Sequence, residues 1–216
     1  MKGELFDPNA PLSIDEHHRP HWSQTGATVF VTFRTRDSIP RNVIKRWDAE
    51  RFQWLQRRGV NCRGDFSAAL RQLSSTDARA FRKRFNRQRE DFLDSCHGTC
   101  ILRKPDLAQI VADSLLYFDG ERYHMGDFVV MPNHVHLLAS FHDAERMRRQ
   151  FGSWLRWTAM KINSATGAKG HFWQEEPFDH LVRSNAQLEY LRKYIKENPL
   201  RAKLKKGEYL LRICPD

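Results

Sequence analysis

Two sets of residues have types and spacing that could do chemistry: the pair in His134-Val135-His136, and the row Tyr190, Tyr194 and Asn198 at four-residue spacing. In a strand, side chains two apart leave the same face, so both imidazoles point one way while Val135 and Leu137 point the other. Two imidazoles a few ångströms apart on a rigid element can share one divalent cation. Such a pair can also sit on a solvated sheet face. Here the apolar run that follows argues for a central strand, where unpaired histidines carry a desolvation cost. A metal centre acting on a phosphate needs a third ligand and a nucleophile or an activated water. Tyr194 and Asn198 lie one helical turn apart and could reach the same phosphate, the phenol as nucleophile and the amide as oxygen ligand. The alternative is ordinary packing beside the stripe Leu188, Leu191 and Ile195.

The elements that must carry these residues follow from periodicity. Residues 27–34 alternate Val29, Val31 and Phe33 with Thr28, Phe30 and Thr32, a β-branched and aromatic strand. Residues 128–131 read as a buried strand, and 134–139 as the alternating strand after Pro132-Asn133. Helices are predicted at 107–118, with Asp106 as cap, at 144–163 and at 187–198, the last ending at Pro199 because the residue before proline is pushed out of helical geometry. Residues 172–182 form a further extended segment. On the 144–163 helix Met147, Phe151, Trp154 and Ile162 face a core, while Arg149, Ser153 and Arg156 form an outer row with Trp157 beside it, and Trp157 could stack on a base. Strands and helices interleave, so the fold class is α+β, a sheet with helices mainly on one face.

The chain has 216 residues, enough for one sizeable core. It carries 36 Lys and Arg against 26 Asp and Glu, a net charge of +10, which attracts polyanions. With 40% hydrophobic residues it can fold, which excludes a disordered basic tail. No apolar run approaches the roughly 20 residues of a membrane span. The start, Met1 to Pro8, lacks the apolar stretch of a secretory signal, and four cysteines are too few for a disulfide framework. A cytoplasmic, nucleoid-associated protein with free thiols is expected. Cys96-His97-x-x-Cys100 invites a zinc reading but has no second pair at suitable spacing. Residues 1–25 are expected as a loose N-terminal arm docked only at Trp22, with His17, His18 and His21 in solvent. Residues 26–204 are expected as a single domain, with a helical basic insertion at about 41–104, and 205–216 as a C-terminal tail. Residues 45–104 hold 15 Lys and Arg against 7 acids, and Ala78, Phe81, Phe85 and Phe92 mark one helical face there.

Val129-Val130-Met131-Pro132-Asn133-His134-Val135-His136-Leu137-Leu138, with Tyr194-Ile195-Lys196-Glu197-Asn198-Pro199 downstream, resembles the single-tyrosine HUH transposases, and within them the REP-associated tyrosine transposases. Residues 153–163, Gly170-His171-Phe172-Trp173-Gln174 and Phe178-Asp179-His180-Leu181-Val182-Arg183 match the same family's usual run. The resemblance covers about 27–31 and 107–204. It implies a central antiparallel sheet in a ferredoxin-like arrangement, with the histidines on a central strand and the tyrosine helix against it. It also implies that His134, His136 and, by position, Asn198 hold Mg²⁺ or Mn²⁺ on a scissile phosphate. Tyr194 then attacks, giving a 5′-phosphotyrosine link and a free 3′-hydroxyl. Related transposases carry Gln where Asn198 stands. The expected partner is single-stranded or hairpin, REP-like DNA, bound by a monomer without membrane or nucleotide cofactor; no Gly-rich phosphate loop occurs in the sequence.

Phosphotyrosine chemistry conserves the bond energy of the cleaved strand, so a 3′-hydroxyl can rejoin it. A noncatalytic hairpin-binding protein is the alternative, and a metal hydrolase using water a third reading. Candidate DNA contacts are Arg82, Lys83, Arg84, Arg87, Arg149, Arg156, Trp157 and Arg183, basic side chains with interleaved aromatics. Asp179 and His180 could orient a ligand or form part of a buried ion pair. Replacing Arg82, Lys83, Arg84 and Arg87 by Gln is expected to weaken single-stranded DNA binding and to flatten its logarithmic salt dependence by about 0.7 for each phosphate that is no longer neutralised. Affinity measured across a salt series checks this, and an unchanged affinity would demote the run to a solvated face.

Overall fold

The computed structural model describes residues 3–16, 20–62, 65–175 and 177–215. Its first two strands, β1 (Ser13–Glu16) and β2 (Pro20–Ser23), pair as a small antiparallel hairpin. Five further strands form the main sheet in the order β6-β3-β5-β4-β7, every neighbouring pair antiparallel. They are β3 (Thr28–Arg34), β4 (Tyr123–Val130), β5 (His134–Phe141), β6 (Phe178–Leu181) and β7 (Leu210–Arg212). Every residue of β3 and β5 is buried, which accounts for their having apolar side chains in both alternating sets.

The register fixes what each face carries. Thr32 lies opposite His136, Phe30 opposite Leu138 and Val129 opposite His136, so these side chains share one face. Val29, Val31, Phe33, Val135, Leu137 and Ala139 occupy the other. On that second face lie α4 (Pro105–Leu116) and α5 (Ala144–Thr166), which bury Leu107, Val111, Leu115, Met147, Phe151, Trp154 and Ile162 against it. The histidine face is covered by α6 (Asn185–Arg201), through Leu191, Tyr194 and Ile195 against Phe30, Val129 and Leu138. Read as β3-α4-β4-β5-α5-β6, the chain is a split βαβ ferredoxin-like unit to which α6 and β7 are added.

Local sequence explains the helix ends. Asp143 accepts from the Arg146 N–H at 2.7 Å, and Ser184 from that of Gln187 at 3.2 Å. In α4 the helix begins at Pro105, with Lys104 as N-cap and no side-chain cap, so Asp106 sits in the first turn rather than capping. Proline suits that place because its missing N–H would have no partner there anyway. The helix α6 runs on past Asn198 to Arg201 with Pro199 inside it, contrary to the expected stop. Only one short turn follows the proline, and the Ala202 N–H still reaches Asn198 O at 3.0 Å, so burying Pro199 outweighs a single lost bond. A shift in register between Met125 and Phe128 marks a bulge in β4, at Gly126-Asp127. Asp127 there is buried and accepts from Arg192 Nε of α6 at 2.9 Å and from the Cys214 N–H at 2.7 Å.

Residues 41–94 fold as three helices, α1 (Arg41–Gln56), α2 (Phe66–Arg71) and α3 (Ser75–Asp94). Ala78, Phe81 and Phe85 are buried as the periodicity implies, the two phenylalanines in a satellite core with Trp54, Leu55, Val60 and Ala69. Trp22 docks on the main core, and ordered pairing extends beyond it: the Glu4 N–H reaches Gly26 O and the Phe6 N–H reaches Val182 O, both at 2.9 Å. His17 and His18 lie outside the described residues; His21 falls in β2. Within the expected tail at 205–216, Leu210–Arg212 form β7. Among the described residues no helix is long and apolar enough to cross a membrane. Trp154, packed at the centre of the α4–α5 face with its indole N–H 3.3 Å from Tyr123 Oη, sets a test of that core. Trp154→Ala is expected to cost about 3–5 kcal/mol in urea unfolding; a loss below about 1 kcal/mol would mean that the cluster is not packed this way.

Candidate active site

The pleat of β5 aims His134 and His136 into the space between the sheet and α6, where they are 0% and 1% exposed with ring centroids 4.6 Å apart. Their other nitrogens are held. The Asn133 amide donates to His97 O at 2.8 Å, which turns its Oδ1 toward His134 Nδ1 at 2.7 Å. His134 therefore carries its proton on Nδ1 and presents a bare Nε2. His136 Nδ1 lies 2.8 Å from Thr32 Oγ1, directly across the β3–β5 ladder. With Nδ1–H donating there, Nε2 accepts from the Tyr194 hydroxyl at 3.3 Å. Burial is the main cause that lowers both histidine pKa values, His134 to about 3 and His136 well below its ordinary value, with Arg89 adding to each. Both imidazoles are thus neutral, the form that ligates metals.

Phe30 organises the rest of this face. Its ring stacks on His136 at 5.4 Å and meets Tyr194 edge-on at 6.2 Å. Tyr194 is 6% exposed, and burial followed by the Asp94 and Glu90 carboxylates pushes its phenol above the ordinary value. Tyr190, the next member of the row, is 62% exposed, so only one of the two tyrosines reaches the histidines. Asn198 is fully buried one turn beyond Tyr194, and its Nδ2 donates to Asp94 Oδ1 at 3.0 Å.

Asp94 is the residue that sequence reasoning missed. It ends α3, and its Oδ1 is 3.9 Å from His134 Nε2. Asp94, His134 and His136 offer ligand atoms that all lie within 4.8 Å of one another. The neighbouring Glu90 also faces inward, and its carboxyl is raised by burial and by Asp94. Nothing local marks Asp94: it stands in the most basic part of the chain, nine residues and about 180° around the helix from Phe85. The end of α3 therefore belongs to this cluster, and the outer face of the helix remains a separate charged surface.

The other sequence-derived residues are dispersed. Arg82, Lys83, Arg84 and Arg87 are exposed on α3, with Arg87 3.6 Å from Asp91. Arg149, Arg156 and Trp157 are exposed on α5, which covers the opposite face of the sheet from the histidines. Arg149 pairs with Glu145, and Lys161 lies over the Trp157 ring. Arg183 is exposed at the start of α6 and lies over the Phe6 and Trp22 rings, 5.8 Å from each. Cys100 Sγ donates to Cys96 O, and burial pushes the Cys96 thiol up to about 12.

No protein-family model matches the sequence, and no curated protein matches it. The chain is similar to a solved structure described as a REP-associated tyrosine transposase bound to a REP hairpin, with 15% identity, 89% of this chain and 76% of that chain covered, and a TM-score of 0.43.

His180, on β6, borders the same aromatic cluster, its ring 5.3 Å from Phe30. Burial, then Arg183, lowers its pKa from 6.5 to about 4. Between those values the unfolded imidazole binds a proton that the folded one refuses, so stability falls as the pH drops through this window. His180→Gln is expected to flatten the decline of the urea midpoint between pH 6.5 and 4.5. An unchanged slope would show that the folded protein accommodates a charged His180.

Proposed function

We propose that the chain is a metal-dependent endonuclease and strand transferase for single-stranded or hairpin DNA, acting as a monomer, as its resemblance to REP-associated tyrosine transposases implies. One observation carries this reading: the Tyr194 hydroxyl, the Nε2 atoms of both histidines and a carboxylate meet at one point on the sheet. The donor set suits a hard divalent cation. His134 Nε2, Asp94 Oδ2 and Asn198 Oδ1 are buried acceptors without a hydrogen-bond donor among the described residues. His134 and His136 would hold Mg²⁺ or Mn²⁺, with the Asn198 amide facing it, and the ion would offset charge on the scissile phosphate.

The chain's own residues supply the remainder. Tyr194 Oη attacks phosphorus as the bond to the 3′-oxygen breaks; the leaving oxygen takes up a proton and the phenolic proton passes to water, since His136 Nε2, which the hydroxyl faces at 3.3 Å here, would give its lone pair to the ion. Because burial and two carboxylates hold the phenol above its ordinary range, positive charge beside it is what this step requires. Phe30 and Thr32 keep the imidazole and the phenol in register. The exposed bases of α3 extend the DNA surface, and Arg183 continues it past the start of α6. Arg149, Arg156 and Trp157 would hold a more distant part of the strand, around the molecule from Tyr194.

A noncatalytic hairpin-binding protein is the second reading, favoured by the low exposure of Tyr194 and both histidines beneath α3 and α6. Incubation of hairpin DNA with the protein and Mn²⁺ separates the two. A covalent protein–DNA adduct is expected from the native chain and not from Tyr194→Phe, on denaturing gels. Salt-sensitive binding with no adduct, unaffected by His134→Ala or chelator, would favour the binder. An adduct surviving in Tyr194→Phe would move the nucleophile, with Tyr190 next in the row.

A further inference from the structure

Inside the site, acceptors face acceptors. His134 Nε2, Asp94 Oδ2 and Asn198 Oδ1 are each buried without a hydrogen-bond partner among the described residues. His134 and Asn198 are 0% exposed and Asp94 is 7% exposed. The 3.9 Å between His134 Nε2 and Asp94 Oδ1 is too long for a proton to be shared in a hydrogen bond. Arg201, 3.7 Å from Asp94 Oδ2, offsets part of the carboxylate's charge, but the His134 lone pair and the Asn198 carbonyl still repel the carboxylate in a water-poor space.

We propose that Asp94, from the last turn of α3, is the anionic ligand that completes the metal centre with His134 and His136, and that Asn198, whatever its Oδ1 contributes, positions this carboxylate through its Nδ2. This rests on the reading that the histidine pair holds a divalent cation. Three arguments support the division of roles. Magnesium and manganese favour oxygen ligands, and a carboxylate adds charge that two neutral imidazoles and an amide lack. The Asn198 Nδ2 is spent on Asp94 Oδ1 at 3.0 Å, so the amide already orients the carboxylate toward the histidines. Asp94 is also the member of the cluster that borders the surface: a cleft of about 320 Å³, lined by Asp91, Asp94, Ser95, Arg201, Ala202 and Lys203, reaches it.

The consequence reaches beyond ligand count. The same helix carries Arg82, Lys83, Arg84 and Arg87 outside and Asp94 at its inner end. Arg201 reaches across from α6 to Asp91 and Asp94, 3.7 Å from each. An ion held between Asp94 and β5 ties the end of α3 to the sheet, so assembly of the centre and presentation of the DNA surface become one event.

The test uses Mn²⁺ alone with the full chain, by titration calorimetry and by loss of the free-ion electron paramagnetic resonance signal. One site per chain is expected. Asp94→Asn, of nearly the same shape, should weaken Mn²⁺ by tenfold or more, Asp94→Glu should restore part of the loss, and Asn198→Ala should weaken it less than Asp94→Asn. Amide hydrogen exchange in the unaltered protein gives a reading independent of any variant's folding: Mn²⁺ should slow exchange in the last turn of α3. Equal Mn²⁺ affinity in the native chain and Asp94→Asn, with loss in His134→Ala, would leave the metal reading standing and overturn the role of Asp94. Unchanged exchange at the end of α3 on saturation would also overturn it. A native chain that binds no Mn²⁺ would overturn both.

Discussion

Two imidazoles on one side of a strand buried on both faces need partners for four ring nitrogens where water is scarce, and the elements around β5 meet that requirement for three of them. Asn133 takes one nitrogen of His134, and Thr32, from the neighbouring strand, takes one of His136. The two remaining nitrogens, both Nε2, turn toward Tyr194 and Asp94. Burial sets the charge state as well, since it holds both rings neutral. A neutral, orientated imidazole pair is what a cation site requires, and it arises here from the pleat, from desolvation and from the hydrogen bonds to Asn133 and Thr32.

The helix that brings the phenol is fixed from two directions. At the sheet, Leu191, Tyr194 and Ile195 bury against Phe30, Val129 and Leu138. At the side, Arg192 pairs with Asp127, a carboxylate that the β4 bulge places beneath α6 and that is 1% exposed. Removing one partner of such a pair strands the other charge, so the bulge and the salt bridge together hold α6 at one angle to β5. The hydroxyl of Tyr194 reaches His136 because both constraints agree.

The charge of the chain has two parts with different work. Outside, α3 presents a row of exposed arginine and lysine side chains. Inside, the same helix brings Glu90 and Asp94 toward the histidines, where Arg89 and Arg201 offset part of their charge. Net charge by itself could not separate these faces, because opposite charges on opposite sides of one helix cancel in a sum. The basic row on α5 has a third position, beyond the sheet, so any one ligand that touches it and Tyr194 must wrap the edge of the molecule.

Residues close in sequence were legible from sequence. Alternation placed β3 and β5, the 3.6-residue period placed α4, α5 and α6, and the parity of His134 and His136 put both rings on one face, because these properties depend on the backbone's own repeat. The spacing of Tyr194 and Asn198 likewise put them on one side of α6. Which partners those rings meet was decided by tertiary structure. Thr32 and His136, 104 residues apart, meet through strand register. Asp94 and Asn198, also 104 residues apart, meet because α3 folds back over the sheet. The meeting of Asn198 with Asp94 follows from that return. A short amide reaches the carboxylate in front of it, and the carboxylate, brought by a helix whose local sequence signals only a basic surface, stands 3.9 Å from the bare nitrogen of His134. A period in the sequence states which way a side chain points, whereas the packing of distant elements determines what lies there.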